Sequence, residues 1–305
     1  MINKDFNSII ELINTFSSEE ECIEHLEQVR WNWRIVSPFD VLSKVYVCKN
    51  HKYRCKNSWK YFNVRTWTMF DNTKIPLQKW FMAIWLITSH KKGISSMQLS
   101  RDLDITQKTA WFILQRIRKC FWISDDWMLD WKVEIDETYV WWKNKNRHTD
   151  KKVLNSQGRS NKDKTPVVWM IERGWKLIAN TVKDTQAKTL TKEVIRNIKS
   201  TASLYTDEWL WYNTVKKMYK HAMVNHWSWE YGRWDAYTNT IEGFWSLLKR
   251  GILGIYHFTS KKHLQKYVDE FVFRYNSRDL SEVERFNVLL SQCDNRLSYK
   301  QLING

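Results

Sequence analysis

Cysteine is too scarce in this chain to supply a disulfide framework. The five cysteines are an odd number and lie far apart, at Cys22, Cys48, Cys55, Cys120 and Cys293. Scattered thiols of this kind are typical of a cytosolic protein and not of a small secreted domain. We therefore expect the chain to be cytoplasmic.

Long hydrophobic runs are also absent. The longest apolar stretch, Trp80–Thr88, is too short to cross a bilayer. The first residues, MINKDFNSIIELINTF, form a mixed amphipathic pattern that does not resemble a signal peptide. The sequence thus predicts a protein without a membrane partner.

Acidic residues are outnumbered by basic ones. The chain has 33 Asp and Glu against 49 Lys and Arg, which gives a net charge of +16 and a pI near 9.5. Such an excess favours a polyanionic partner, and nucleic acid is the commonest one in a cytoplasmic compartment. With 305 residues, the chain is long enough for about two or three domains.

Glycine is scarce, whereas tryptophan is abundant. The chain has 8 Gly and 20 Trp, although average usage would give roughly 21 glycines. Several tryptophans stand where a turn would favour glycine, because a bulky side chain is costly at positive φ; they are Trp141, Trp142, Trp175, Trp227 and Trp229. We hypothesise that the source organism reads UGA codons as glycine. The alternative is an aromatic-rich protein that stacks on nucleic-acid bases.

Changes of pattern divide the chain into five segments. Residues 1–28 read as a helical segment, and residues 29–70 as a small module of turns and short strands. Residues 71–124 are helical, residues 128–278 form an α/β region, and residues 279–305 are a C-terminal tail.

The module at residues 29–70 has the layout of a zinc ribbon. Two turns about 15 residues apart each precede a strand, KVYVC and KYFNVRT. A working ribbon needs four soft ligands around Zn²⁺, but the four positions are occupied by Ser37, Asp40, Cys55 and Ser58. We predict a ribbon-shaped module with little or no zinc affinity. An improvised site using Cys48 and His51 is the alternative.

Residues 95–120 show a helix-turn-helix pattern. Ser95 or Ser96 is expected to cap a first helix, residues 103–105 make a tight turn, and Thr106 caps a second helix. Exposed side chains of the second helix would then meet phosphates or base edges; these are Gln107, Lys108, Gln115, Arg116 and Arg118. A plain helical hairpin within a larger bundle is the alternative.

The α/β region is predicted to contain a mixed sheet flanked by helices. Strands are expected at 131–140, 166–173, 175–183, 202–206 and 222–226. Helices are expected at 186–199, 209–220, 238–250 and 261–276. A basic polar loop over 143–164 includes Lys143, Lys145 and Arg147.

Three carboxylates mark a candidate metal site in this region. Asp136 lies in the strand-like run VEIDETYV, Asp207 ends the run SLYTDE, and Glu242 belongs to a predicted helix. Lys249 follows Glu242 by seven residues, so the two share one helix face. Hard oxygen ligands from two strands and a helix suit a pair of Mg²⁺ ions that activate a nucleophile for phosphoryl transfer.

Each feature also has a simpler interpretation. Asp136 alone could be a solvent-exposed strand residue, Asp207 could be a helix N-cap, and the helix could present an ordinary solvated polar face. The combination of two strand-end acids with a helix that carries an acid and a base favours the metal site.

Four runs together resemble the DDE transposases of the IS1595 (ISXO2-like) insertion-sequence family. They are IDETYV, LYTDE, AYTNTIEGFWSLLKRGI and YVDEFVFRYNSR, and the similarity covers nearly the whole chain. The resemblance implies an RNase H-like core behind a zinc ribbon and a helix-turn-helix. It also implies that Asp136, Asp207 and Glu242 hold Mg²⁺, with Mn²⁺ as a substitute, and that Lys249 takes part in catalysis.

The sequence departs from the family pattern at several positions. An asparagine is the third ligand in some relatives, so Asn239 is the fallback for Glu242. The family has glycine where this chain has Trp67, Trp141, Trp142, Trp227 and Trp229, and ribbon cysteines at positions 37, 40 and 58. These differences support recoding and put zinc binding in doubt.

The resemblance implies a protein that cuts and joins DNA at inverted-repeat ends, as a homodimer or larger assembly in the bacterial nucleoid. Its partners would be double-stranded terminal repeats and target DNA. Two alternatives remain: a catalytically decayed DNA-binding protein or repressor, and a nuclease of the RNase H or resolvase type.

Overall fold

The computed structural model describes residues 6–121, 128–141, 149, 164–206, 218–223, 239–257 and 259–304, with backbone alone at 141, 222–223 and 239–242. The chain forms two compact units. Met1–Trp122 and Ser277–Gly305 make the first, here called the terminal unit. Ile123–Asn276 make the second, the central unit.

The terminal unit begins with two helices, α1 (Ile9–Thr15) and α2 (Glu19–Trp31). Their N-caps are Ser8 and Ser18, whose hydroxyls accept hydrogen bonds from the amides of the residues three positions later. Ser18 also forms a capping box with Glu21. Both helices begin within the predicted helical segment 1–28, and α2 continues beyond it to Trp31.

A small antiparallel sheet follows α2. Its strands β1 (Val45–Val47), β2 (Tyr53–Cys55) and β3 (Tyr61–Phe62) lie side by side in that order. β1 and β3 fall within the predicted strands. Cys55 is predicted to lie in the second turn of the ribbon, but residues 53–55 form β2, the middle strand of the sheet.

Three further helices complete the first part of the terminal unit: α3 (Leu77–Ser89), α4 (Ser96–Asp102) and α5 (Gln107–Cys120). Ser95 caps α4 and Thr106 caps α5, as the sequence predicts. Asp104 takes a left-handed conformation, with φ of 47°, in the tight turn that joins them.

The central unit is built on a five-stranded mixed sheet, which confirms the predicted α/β architecture. The strands are β4 (Lys132–Trp141), β5 (Lys164–Glu172), β6 (Leu177–Thr181), β7 (Ser203–Thr206) and β8 (Lys220–Met223). Their spatial order is β6-β5-β4-β7-β8. β4 pairs antiparallel with β5 and parallel with β7, so the sheet changes type at its central strand.

Helices cover both faces of this sheet. α6 (Ala187–Asn197) packs Leu190 and Val194 against a cluster that includes Val133 and Ile135 of β4. α7 (Asn239–Gly251) and α8 (Leu264–Asn276) pack on a second cluster, and a π-helical turn, Ile252–Tyr256, follows α7. Most of the predicted helix 209–220 lies outside the described residues, and Lys220 begins β8.

The chain's last segment returns to the terminal unit. Residues 279–305 are predicted to be a C-terminal tail, but they contain two helices, α9 (Glu282–Ser291) and α10 (Tyr299–Asn304). Phe286 of α9 is fully buried and its ring contacts those of Phe6, Phe16 and Phe81 at 5.3–6.3 Å. α9 is therefore part of the hydrophobic core of the terminal unit.

Among the residues that the structure describes, four tryptophans adopt the left-handed backbone region that favours glycine. Their φ angles are 68° at Trp33, 58° at Trp59, 62° at Trp67 and 49° at Trp131, and all four side chains are exposed. Trp175 differs, since Gly174 beside it takes the positive φ of that turn. Trp227 and Trp229 lie outside the described residues.

Among the described residues, no helix is both long enough and apolar enough to cross a membrane.

Candidate active site

Asp136 lies on the central strand of the sheet. β4 runs from Lys132 to Trp141, within one residue of the predicted strand, between β5 and β7. Neighbouring residues of a strand face opposite sides of the sheet. Ile135 points into the cluster formed with α6, so Asp136 points to the other side.

That other side is the one that α7 covers. Asp136 is directly opposite Trp169 of β5 in the antiparallel register, and such partners share a face. The Trp169 ring lies 4.9 Å from the ring of Phe244 and 5.3 Å from that of Trp245, both on α7. The structure therefore brings Asp136 and α7 to the same face of the sheet.

α7 carries the predicted helix residues Glu242 and Lys249. Its bounds, Asn239–Gly251, agree with the predicted helix to within one residue at each end. The side chains of Asn239 and Glu242 lie outside the described atoms. Lys249 is exposed, and its Nζ lies 5.4 Å from the centre of the Trp245 ring.

Asp207 lies outside the described residues. It directly follows Thr206, the last residue of β7, which is the parallel neighbour of β4. Asp136 itself is partly buried, and its Oδ1 accepts a hydrogen bond of 2.7 Å from the Glu137 amide.

A buried ion pair, which is not among the predicted site residues, lies on the strand beside Asp136. Glu134, two residues earlier on the same face, is fully buried, and its Oε1 accepts a 2.8 Å hydrogen bond from Arg173 Nε. The Arg173 guanidinium also stacks on the Tyr205 ring of β7 at 4.3 Å. A polar residue at a core-facing strand position is the signal that indicates such a partner.

Gln265 of α8 forms hydrogen bonds to β6, the edge strand of the sheet. Its Oε1 accepts from the Thr181 amide at 2.6 Å, and its Nε2 donates to the Ala179 carbonyl at 3.0 Å. Burial raises the pKa of the neighbouring Asp269 to about 7, although a hydrogen bond from Gln265 works in the opposite direction. These contacts hold α8 against β6.

The predicted exposed residues of α5 divide into two groups. Gln107 and Lys108 are exposed at the start of the helix. Gln115, Arg116 and Arg118 are buried, so the expectation that they are exposed is wrong. Arg116 donates hydrogen bonds to the carbonyls of Met69, Asp71 and Leu297, and it is therefore a structural residue of the terminal unit.

Two of the other predicted ribbon positions, Ser37 and Ser58, lie close to Cys55. Burial of the Cys55 thiol raises its pKa, but the nearby hydroxyls of Ser37, Ser43 and Ser58 and the Ser58 backbone outweigh this and lower the pKa to about 6. Asp40 instead accepts a 2.6 Å hydrogen bond from Asn57 Nδ2. Cys48 and His51 are half-buried, and His51 Nδ1 lies 3.7 Å from Glu27 Oε1.

Within the described part of the chain, no group of three or more His, Cys, Asp or Glu side chains is arranged to hold a metal ion. Asp207 and the Glu242 side chain are outside that part, as are Lys143, Lys145 and Arg147 of the basic loop. The described portion of the candidate site therefore consists of Asp136, the backbone of α7, and Lys249.

The central unit is similar to a known family of protein domains. Residues 128–276 match the model of the ISXO2-like transposase domain, a segment that includes β4, β7, α7 and α8. An uncharacterised protein in the transposable element ISH50 of Halobacterium salinarum is 29% identical, with 86% of this chain and 92% of that protein aligned. A chain from the crystal structure of a pre-cleavage Mos1 transpososome aligns over 95% of this chain and 97% of its own length, at 12% identity and a TM-score of 0.28.

Proposed function

Residues 128–276 belong to the ISXO2-like transposase domain family, and from this premise we propose that the protein binds the terminal inverted repeats of an insertion sequence and cleaves and joins DNA there. The observation that carries the proposal is the position of Asp136. It lies on the central strand, on the face covered by the helix that contains Glu242 and Lys249. An RNase H-like core would place its acids in this way.

The proposed ligands are Asp136, Asp207 and Glu242, with Asn239 as the fallback for Glu242. Carboxylate oxygens are hard donors, so this set fits Mg²⁺ or Mn²⁺. A pair of such ions, when bound, supplies an activated nucleophile and stabilises the leaving oxygen of the phosphodiester. Asp207 is included in the proposed set because it directly follows, in sequence, the strand that runs parallel to β4.

The remaining residues position the strand that carries Asp136 and neutralise charge on the DNA. Lys249 is an exposed cation on α7, and we assign it to a DNA phosphate near the scissile bond. The buried Glu134–Arg173 pair fixes the strand that carries Asp136, because each partner would be costly to leave alone. Catalysis of phosphoryl transfer depends mainly on this kind of positioning and charge neutralisation.

DNA binding is assigned to the start of α5 and to the basic loop. Gln107 and Lys108 are exposed next to a capped helix start, where side chains can reach base edges or phosphates. Lys143, Lys145 and Arg147 would contact DNA at the edge of the catalytic site. Two DNA ends must be brought together, so a dimer or larger assembly on double-stranded DNA is proposed.

The test uses purified protein, Mg²⁺ and a labelled duplex that carries the element's terminal repeat. Asp136→Asn is expected to lower strand cutting by roughly 10³-fold or more, because the metal ligand set is broken, while end binding in gel-shift assays is retained. Glu137→Gln is the matched control, since it changes the neighbouring carboxylate on the opposite face of β4. Asp207→Asn and Glu242→Gln should behave like Asp136→Asn.

Cutting by Asp136→Asn at the rate of the unaltered protein would remove Asp136 from the metal site. A second function, a DNA-binding repressor that has lost catalysis, is favoured by the single cysteine at the ribbon positions. It predicts end binding without cutting by the unaltered protein and also by a chain with glycine at positions 33, 59, 67 and 131. Cutting without joining would indicate a nuclease.

A further inference from the structure

The small sheet of the terminal unit carries an unusual concentration of positive charge. Between Val41 and Phe70 the sequence has seven Lys and Arg residues and no Asp or Glu. Lys44, Lys49, Lys52, Lys56 and Lys60 are all exposed. Within the described residues, none of these five lysines forms an ion pair with a carboxylate. An exposed cluster of this kind favours a polyanionic partner from outside the unit.

The outer face of the same sheet presents a row of two tyrosines and an arginine. The register places Tyr46 opposite Arg54, and Arg54 opposite Tyr61, so the three side chains share one face. Tyr46 is 40% exposed and Tyr61 is 62% exposed. The other face holds Tyr53, Cys55 and Phe62, which are buried. We call the outward-facing residues the Tyr46–Arg54–Tyr61 row.

The cations of this surface lie against its rings. The Arg54 guanidinium is 4.2 Å from the Trp59 ring centre and 6.0 Å from that of Tyr61. Lys44 Nζ lies 5.6 Å from the Tyr46 ring. Arg54 Nε is shielded from solvent and makes no hydrogen bond within the described part of the chain. The guanidinium thus lies close to aromatic rings.

These features together favour an unpaired nucleic-acid strand over a duplex. A basic surface alone would bind either form through phosphates. Exposed aromatic rings add affinity only when they can stack on base faces, and a duplex keeps those faces inside its own stack. Neighbouring strands lie roughly 4.8 Å apart, so the two tyrosine rings, two strands apart, offer separate positions for bases.

We infer that the Tyr46–Arg54–Tyr61 row binds single-stranded DNA, with bases stacked on Tyr46 and Tyr61 and phosphates paired with Arg54 and the surrounding lysines. The inference deepens the proposed function and rests on it for the source of the strand, which is DNA opened or cut at an element end. Trp59 contributes a ring, but the row persists with glycine at that position.

The experiment measures binding of the full chain to a fluorescein-labelled oligothymidylate of about 20 nucleotides and to a blunt duplex of the same length, in EDTA. Tyr61→Ala is expected to raise the Kd for the single strand by about 5- to 100-fold and to change the duplex Kd by less than about 3-fold. Tyr61→Phe, which keeps the ring, should bind like the unaltered chain. Val47→Ala is the matched control, because Val47 directly follows Tyr46 in β1 and is also exposed.

Equal losses for both DNA forms, or no loss for either, would overturn the inference. Photocrosslinking of a bromodeoxyuridine-containing single strand to the unaltered chain gives a second readout that does not depend on any variant. Crosslinks at Tyr46 or Tyr61 are expected, and crosslinks confined to other segments contradict the assignment. Because no metal is present, the result is independent of strand cutting. Failure here leaves the proposed catalytic function intact.

Discussion

A side chain with a Cβ atom resists the left-handed backbone region, yet Trp33, Trp59, Trp67 and Trp131 all adopt it. Burial separates these four from other tryptophans of the chain, since Trp80 and Trp169 are almost wholly inaccessible to solvent. Core packing explains a buried indole, but it does not explain an exposed indole in a turn. The hypothesis of UGA read as glycine concerns only the second kind.

The gene sequence tests this hypothesis directly. UGA codons are expected at positions 33, 59, 67 and 131, and UGG, the ordinary tryptophan codon, at positions 80 and 169. The physical reason is that glycine relieves the left-handed turns, whereas its introduction would empty the core at Trp80 and Trp169. A UGG codon at any of the four turn positions rules out recoding at that position.

Stability of the protein itself offers an independent measurement. Trp33→Gly is expected to stabilise the terminal unit by about 0.5–1 kcal/mol, because the relief of left-handed strain exceeds the entropic cost of glycine. Trp175→Gly is the matched control: its side chain is also exposed, but its φ is not positive. That variant should be neutral or slightly destabilised. Urea midpoints that fall equally for both variants would contradict the expectation.

At the scale of helices and strands, α5 combines an exposed start with a buried end. Arg116→Ala leaves the carbonyls of Met69, Asp71 and Leu297 without their donor. We expect it to destabilise the terminal unit by about 2–4 kcal/mol, because buried acceptors lose their partner. Lys108→Ala should change stability by less than about 0.5 kcal/mol.

For DNA binding we expect the reverse of the stability pattern, with a larger effect from Lys108→Ala than from Arg116→Ala. Lys108→Ala is expected to weaken end binding and to reduce the slope of log K against log salt by about 1, as for one lost phosphate contact. Measured at a temperature where both variants are folded, Arg116→Ala should retain the slope of the unaltered chain. A reduced slope for Arg116→Ala would return that residue to the DNA interface.

Most element boundaries follow from local sequence, and the exceptions depend on distant partners. The caps at Ser95 and Thr106 and the span of β4 are set by nearby residues, so they are predictable. Burial of Arg116 depends partly on Leu297, which is 181 positions away in sequence. No local pattern reveals such a partner. The same applies to Phe286, whose ring neighbours lie near the other end of the chain.

The candidate site is predictable in part for the same reason. Alternation along β4 indicates the face of Asp136, and helical periodicity places Glu242 with Lys249. The pairing of β4 with β5, and the contact of Trp169 with α7, could not be read from sequence because both join segments far apart in the chain. These contacts are what bring Asp136 and α7 to one face.

At the scale of the whole molecule, the terminal unit is discontinuous. Its core includes Phe6, Phe16 and Phe81 together with Phe286, and its residue Arg116 binds Leu297. A chain that ends at Asn276 should therefore lose the folded terminal unit, since removal of one buried phenylalanine alone costs about 3–5 kcal/mol. The central unit should remain folded because Ile123–Asn276 is continuous.

Limited proteolysis with mass spectrometry checks this expectation. Rapid cleavage within residues 6–121 and protection of residues 164–206 are expected for the shortened chain. Ile303→Ala in the full chain is the control, because that side chain is 52% exposed and contributes little to the core. Protection of residues 6–121 in the shortened chain would show that the terminal unit folds without α9 and α10.

The discontinuity of the terminal unit also affects when this unit can fold during synthesis. Domains usually fold as they leave the ribosome, beginning with the first one made. Here the first 122 residues must wait for residues 277–305 before their core can close. An interrupted translation product would therefore lack a finished terminal unit, even if its central unit were folded. Completion of the terminal unit would thus coincide with completion of the whole chain.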